Sequence, residues 1–341
     1  LFNGCSNLES FSILGNITSI EKSAFYQCGS LKSISIPESV TSIGSSAFCN
    51  CVSLQSFSIP SEVNLIGERA FEKCVSLVSI VIPEKITVLN DYLFQYCYNL
   101  TSVTIEGNLT SIGYQSFYEC FNLKSLEING DLSNIGTRAF AYCANLSSIK
   151  FSGDIIKIER ESFQHCINLS SVTFLGNVYI IEYSSFLNCS KLKDFSLPDS
   201  VSSIGSKCFD HCISLPSVTI GKNCTEIQSD AFISCVSIST IEIYGNVVTM
   251  GWGIFFNCVN LMSVTIYGNL SSIPQSMFKN CINLSSIVFH CNVSSIGSMA
   301  FQNCSKLESI SIPLNVSSIE SFAFHECKKL SSITIPAKVS S

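Results

Sequence analysis

Charge is scarce in this chain. Asp, Glu, Lys and Arg make up 13% of its 341 residues, about half the usual share of roughly 25%. Nineteen Lys and Arg stand against 25 Asp and Glu, a net charge of −6, so no basic face is available for nucleic acid. Few charges do not make the chain disordered, because disorder needs low hydrophobicity and 46% of these residues are hydrophobic. Mean hydropathy is +0.38, yet long apolar runs are missing too. The longest, residues 247–256, is broken by Gly251 and Gly253 and is about half the ~20 residues a spanning helix needs. The first residues lack the basic start and apolar core of a signal peptide, and residue 1 is Leu, which implies a mature or excised segment. Histidine is limited to four residues, and neither His-x-x-x-His nor Cys-x-x-Cys occurs. No metal and no cofactor is therefore expected. Gly-x-Ser-x-Gly, P-loop and dinucleotide motifs are absent as well. Carboxylates such as Glu21, Glu38, Glu68 and Glu106 are scattered rather than paired, and the chain reads as a non-enzyme.

What is abundant is cysteine, and its spacing organises everything else. Fifteen of the 19 cysteines, from Cys5 and Cys28 to Cys304 and Cys327, recur every 23 residues without an insertion. Phe2, Phe25, Phe48 and twelve more phenylalanines to Phe324 keep the same step. A fixed period in the twenties is the mark of a solenoid, each repeat one coil stacked on the last. Length suggests two domains, but composition never shifts. The period therefore predicts a single solenoid over 1–341, with no internal linker and with uncapped ends.

One coil reads Cys28-x-x-Leu31-x-x-Ile34-x-Ile36-Pro37-x-x-Val40-x-x-Ile43-Gly44-x-x-Ala47-Phe48. The alternation of Leu31, Ile34 and Ile36 predicts a strand with one buried face. Pro37, like Pro60, Pro83, Pro198, Pro313 and Pro336, stops that strand. Other coils turn through Gly-Asn or Gly-Asp, as at Gly107-Asn108 and Gly130-Asp131. Val40 and Ile43 point inward from a second short extended run. The Ala47-Phe48-x-x-Cys51 spacing predicts one turn of helix or 3₁₀. The fold class is then a β-rich solenoid of about fifteen coils, with a parallel sheet on one face and short helical or 3₁₀ turns on the other.

The recurring L-x-x-I-x-I, I-P or G-N, V-x-x-I-G and A-F-x-x-C segments resemble the BspA-like, Treponema-type 23-residue leucine-rich repeat, over the whole chain. The resemblance implies an arc-shaped scaffold whose sheet lines the concave face. It also implies an extracellular or cell-surface protein of adhesion, binding host matrix or other cells. The family offers no catalytic motif to carry over.

Cysteine at the ladder position is expected as a small apolar core filler. Cys208 and Cys224 take core slots off the ladder, whereas Cys49 and Cys291 fall at outward or turn positions and are expected as free or linking thiols. Outward on the strand runs a hydroxyl row, Ser10, Ser33, Ser56, Ser79, Ser102, Ser125 and onward to Ser332, interrupted at Asp194 and Thr240. It is expected either to hydrogen-bond between coils or to offer a repetitive surface to glycans or matrix polymers. Tyr92, Tyr96, Tyr98, Tyr114, Tyr118, Phe121 and Tyr142 decorate neighbouring coils and form the candidate interaction patch; Tyr98 and Phe121, one coil apart, should stack. Twelve N-x-[S/T] sequons, at Asn16, Asn99, Asn108, Asn145, Asn168, Asn188, Asn223, Asn269, Asn283, Asn292, Asn303 and Asn315, are the candidate N-glycosylation sites. They point to a glycosylated surface protein, and repetition of Asn in the turns is the competing cause.

The chain starts and stops within a coil, without the polar caps an isolated solenoid needs. Continuation into a longer chain, or stacking on copies of itself, is implied. The leading expectation is a non-enzymatic extracellular protein of adhesion that binds protein or glycan surfaces. The alternative is a filament or surface-layer subunit joined end to end, and a cytosolic scaffold is the third.

Overall fold

A computed structural model describes residues 2–340. It divides into two compact units, Leu1–Gly176 and Asn177–Ser341, and each is described by itself. Both are parallel β-solenoids in which paired strands are offset by one 23-residue coil. In the first unit Ser79–Ile82 pairs with Ser102–Ile105, Ile82 opposite Ile105. Ser125–Ile128, Ser148–Phe151 and Ser171–Phe174 form a further run of the same front sheet. In the second unit Ser217–Ile220, Thr240–Ile243, Ser263–Ile266 and Ser286–Phe289 repeat the pattern. Ser and Thr in these strands face outward and the Ile and Val between them are buried, as the period of two requires. The second extended run builds a back sheet of its own. Ser42–Ile43 lies between Ser19–Ile20 and Leu65–Ile66, and the strands lengthen to four residues at Leu132–Ile135 and Ile155–Ile158.

Between the sheets the phenylalanines stack face to face at one per coil. Phe48 and Phe71 are 5.5 Å apart at 9°, and Phe209 and Phe232 are 5.0 Å apart at 3°. The rings from Phe25 to Phe301 are buried by their neighbours, and such burial stabilises by about 1.5–3 kcal/mol per ring. Gly44 sits where the backs of two coils meet; a Cβ there would stand 2.5 Å from the Lys22 nitrogen, so no side chain is tolerated without backbone movement.

The helical or 3₁₀ turn does not form. The segment from Gly44 to Cys51 is instead a run of overlapping turns, Ala47 N to Gly44 O, Cys49 N to Ser46 O and Cys51 N to Phe48 O. Ser46 and Asn50 have φ of 57° and 62°, and left-handed residues four apart cannot sit in a right-handed helix. Their reward is between coils: Ser46, Phe48 and Asn50 donate N–H to Glu68, Ala70 and Glu72 of the next coil, each at 2.8 Å. The same two slots are left-handed in coil after coil, mostly without glycine.

Two interruptions of the front sheet fall at coils where Phe replaces the strand Ile, although Phe11 in the same slot stays paired with Ile34. Phe57 tilts between Phe48 and Phe71, at 4.8 and 4.9 Å, and its coil keeps only the Ser56–Ser79 bridge. Phe195 does the same between Phe186 and Phe209. The following coil then enters its strand at Pro216, which has no N–H to give; in later coils Ser239 and Met262 donate from that slot. A cavity of about 80 Å³ lined by Phe195, Leu197, Leu215 and Val218 marks the break.

Candidate interaction surfaces

The tyrosines named from the sequence do come together, all within the first unit. Tyr98 and Phe121 are stacked at 5.2 Å and 13° and are the two exposed members of the group, each 37% exposed. Behind them Tyr96 meets Tyr98 and Tyr118 edge-on at 6.1 and 5.7 Å, and Tyr118 meets Tyr142 at 5.6 Å. Tyr92 and Tyr114 form a separate edge contact at 5.1 Å. The cluster exists because the turn presents its left-handed slots, Tyr92, Tyr96 and Tyr142 among them, outward at one-coil spacing. Burial raises the hydroxyls of Tyr96 and Tyr98, and it pushes Tyr118 to about 12 with the Glu119 carboxylate adding to the effect. These phenols stay neutral donors at physiological pH.

Two cations that the tyrosine pattern alone did not bring out extend the cluster. The Arg69 guanidinium lies 4.0 Å over the Tyr92 ring and the Lys73 ammonium 5.6 Å over Tyr96, the attraction of a cation to a π face. Buried Glu72 holds both, at 3.7 and 3.8 Å. His165 stacks on Tyr142 at 4.8 Å and lengthens the row. The signal was in the sequence: Lys73, Tyr96 and Tyr142 share one slot of the period, and Arg69 and Tyr92 share another.

The hydroxyl row of Ser10, Ser33 and Ser102 faces outward, but none of its hydroxyls bonds another coil among the described residues. The coil-bridging hydroxyls stand in two other columns. Thr101 and Ser147 donate to Val78 O and Lys124 O at the entry to the front strand. Ser133 and Ser202 donate to Thr110 O and Tyr179 O at the entry to the back strand.

Those columns also explain the sequons. In ten of the twelve, the Ser or Thr occupies one of these bridging columns. Asn145 and Asn168 belong to an amide ladder, Asn122 to Asn99, Asn145 to Asn122 and Asn168 to Asn145, at 3.4, 3.1 and 3.4 Å. Asn283 donates likewise to Val259 O and Asn260. Asn188 and Asn303 take left-handed slots. The remaining six, Asn16, Asn108, Asn223, Asn269, Asn292 and Asn315, are exposed in the turn after the front strand.

The ladder cysteines are buried except Cys5 and Cys327, and all 19 are free thiols. Ladder thiols from Cys28 to Cys327 donate to the Phe carbonyl 26 residues earlier, as Cys74 Sγ does to Phe48 O at 3.3 Å. Phe48 O already accepts Cys51 N–H, so the thiol occupies its second lone pair. Cys208 and Cys224 are buried as expected. Cys49 is not the outward thiol expected of it: it is buried against Glu72 Oε2 at 3.6 Å, and burial, then that carboxylate, pushes it up to about 12. The neighbouring coil roofs over its slot. Cys291 is partly exposed. Among the described residues no group of three His, Cys, Asp or Glu could hold a metal, and no helix is long and apolar enough to cross a membrane.

A parallel solenoid of leucine-rich coils that carries outward aromatic and hydroxyl columns defines a protein-binding repeat scaffold, a class that is generally non-enzymatic. The chain belongs to the BspA type leucine rich repeat region family, whose model matches residues 1–124, 64–193, 180–308 and 228–341. A leucine-rich repeat protein from Bacteroides ovatus is similar at 28% identity and a TM-score of 0.73, over 88% of this chain and 78% of that one. A leucine rich cell surface protein from Faecalibacterium prausnitzii is 27% identical over 96% of this chain and 78% of that one, at a TM-score of 0.47. The pneumococcal vaccine antigen PcpA is 18% identical over 98% and 89%, at 0.51. Comparison with curated proteins gives no match.

Proposed function

We propose that this repeat protein works outside the cell as a non-enzymatic module of adhesion, and that it engages a protein surface through the aromatic cluster of its first unit. The stacked pair Tyr98–Phe121 carries the reading. Two aromatic rings stand exposed in a chain with little surface charge, on a base fixed by Tyr96, Tyr118 and Tyr142. Rigid aromatic anchors are the residues that dominate binding energy at protein interfaces. The relative from Faecalibacterium prausnitzii is described as a cell surface protein, and the six exposed turn asparagines suit the same location. Glycan surfaces are the other ligand this reading admits, since the Ser10 row leaves its hydroxyls free for a partner.

The test is binding of the purified chain to a panel of matrix proteins, matrix glycans and cells, beside the double variant Tyr98→Ser/Phe121→Ser. Loss of about tenfold or more in affinity for a bound partner supports the assignment. Equal binding by both proteins removes the cluster from the interface, and no binding to any surface removes the adhesion reading.

A further inference from the structure

The second unit carries an aromatic column that the sequence reading did not single out. Tyr244, Tyr267 and His290 follow three successive front strands and stack as a ladder, at 4.6 Å and 9° and at 5.0 Å and 5°. Tyr244 is 42% and Tyr267 43% exposed. The ladder stops at Tyr244 because the slot one coil before it is Gly221, fixed there by the Ile220–Ile243 register. Pro198 holds the slot one coil before that. Two coil steps of about 4.8 Å separate Pro198 from Tyr244, which leaves the depth of one flat group over Gly221.

The floor of that gap is acidic. A Cβ built on Gly221 would come within 2.7 Å of Asp199 Oδ1, so the Asp199 carboxylate stands beside the empty slot. On the other side the Tyr244 hydroxyl donates to Glu242 Oε2 at 3.4 Å. Neither carboxylate has an ion-pair partner among the described residues, whereas other carboxylates of this chain are paired from the neighbouring coil, as Glu9 is by Lys32 and Glu127 by Lys150. A flat cationic group is what a ring face and two unpaired carboxylates select.

The first unit shows the filled version of such a site. There Arg69 is planted over the next coil's Tyr92 at 4.0 Å, with its Nε held by Glu68 at 3.0 Å. We propose that the slot over Gly221 is an arginine-acceptor site: the guanidinium of a partner polypeptide stacks on the open face of Tyr244 and pairs with Asp199. This deepens the protein-binding reading and rests on it, but uses a different surface from Tyr98–Phe121. The exposed serine and threonine rows beside the slot, Ser217 and Thr219 among them, give the rest of an extended partner neutral hydrogen-bonding groups.

The experiment is saturation-transfer NMR with N-acetyl-arginine methylamide as the probe, run beside N-acetyl-lysine methylamide and methyl α-glucoside. The proteins are the native chain, Tyr244→Ala, Asp199→Asn and Tyr98→Ser/Phe121→Ser, each checked for native circular dichroism. The expected result is saturable contact with the arginine probe at about millimolar affinity. Tyr244→Ala and Asp199→Asn should weaken it at least about fivefold, and the Tyr98/Phe121 variant should leave it unchanged. A glucoside signal that depends on Tyr244 would make this a sugar site and overturn the proposal. Equal transfer to lysine, or arginine contact that survives Tyr244→Ala, would overturn it as well. Loss of adhesion in the Tyr98/Phe121 variant with no arginine contact would sink the slot and leave the adhesion surface standing.

Discussion

At Cys120 one atom does two tasks. The sulfur fills core space between coils, and its hydrogen reaches Phe94 O at 3.1 Å. Alanine loses both, so Cys120→Ala should lower stability by about 1–2 kcal/mol in a urea titration; an unchanged midpoint would show that the S–H bond adds nothing. Burial also sets the chemistry of these thiols. It raises Cys51 and Cys258 from an ordinary value of 9.0 to about 12, and it drives Cys74, Cys120 and Cys143 upward in the same way. The thiolate is the reactive form. Iodoacetamide at pH 8 should therefore modify the exposed Cys5 and the partly exposed Cys291 in the folded protein and spare the buried ladder thiols, as peptide mapping would read. The sign of the pH effect follows. A group raised in the folded state keeps its proton there while the unfolded chain releases it. The contribution is complete below about pH 9 and is lost as pH rises toward 12, so the urea midpoint should fall between pH 8 and pH 10.5. A midpoint that rises over this interval would contradict the buried thiols.

Each coil has two left-handed residues, and their identity is open to a direct experiment. Ser46, at φ 57°, should accept Gly with a gain of up to about 1 kcal/mol, because Gly meets no Cβ penalty there. Ser46→Val should cost about 1–2 kcal/mol, and equal midpoints for the two variants would rule out strain at this slot. The turn columns give a second test. On secretion from a eukaryotic host, site mapping should find glycans at Asn269, Asn292 and Asn315 and bare amides at Asn145 and Asn168, whose NH₂ groups bond Asn122 and Ala144 O. Occupancy in the reverse order would break the link between exposure and modification. These elements also show what could be read in advance. The front strand was legible because Leu31, Ile34 and Ile36 alternate, and the Tyr98–Phe121 stack because equal slots one coil apart must meet. The turn from Gly44 to Cys51 was not legible, since its Phe–Cys spacing suits a helix while the φ values are set by hydrogen bonds to a neighbouring coil. Cys49 was misplaced for the same reason: outward within its own coil, it is covered by Glu72 of the next. Nothing local announced that Gly221 would leave a gap beside Tyr244, because the gap is defined by three coils at once.

Within each unit the registers join a coil only to the coils before and after it, so stability there should behave as a sum of neighbour terms. Phe117 is stacked on Phe94 and Phe140 at 5.4 and 5.1 Å. Phe117→Ala should cost about 3–5 kcal/mol, and hydrogen exchange should speed most in those adjoining coils and progressively less beyond them. Uniform acceleration across residues 2–176 would reject the one-dimensional picture. The left-handed turn has one more consequence. Arg69, Lys73, Arg138 and Lys207 occupy its positive-φ slots, with their N–H groups committed to the following coil. Digestive serine proteases clamp their substrates as extended strands, a shape this backbone cannot take without releasing a whole turn. Trypsin therefore meets four of its cleavage residues locked in the wrong conformation, while Lys222 stands exposed in the turn that Cys224 N closes on Gly221 O. Limited digestion of the folded chain should therefore leave these four positions uncut longest, as peptide mapping would read.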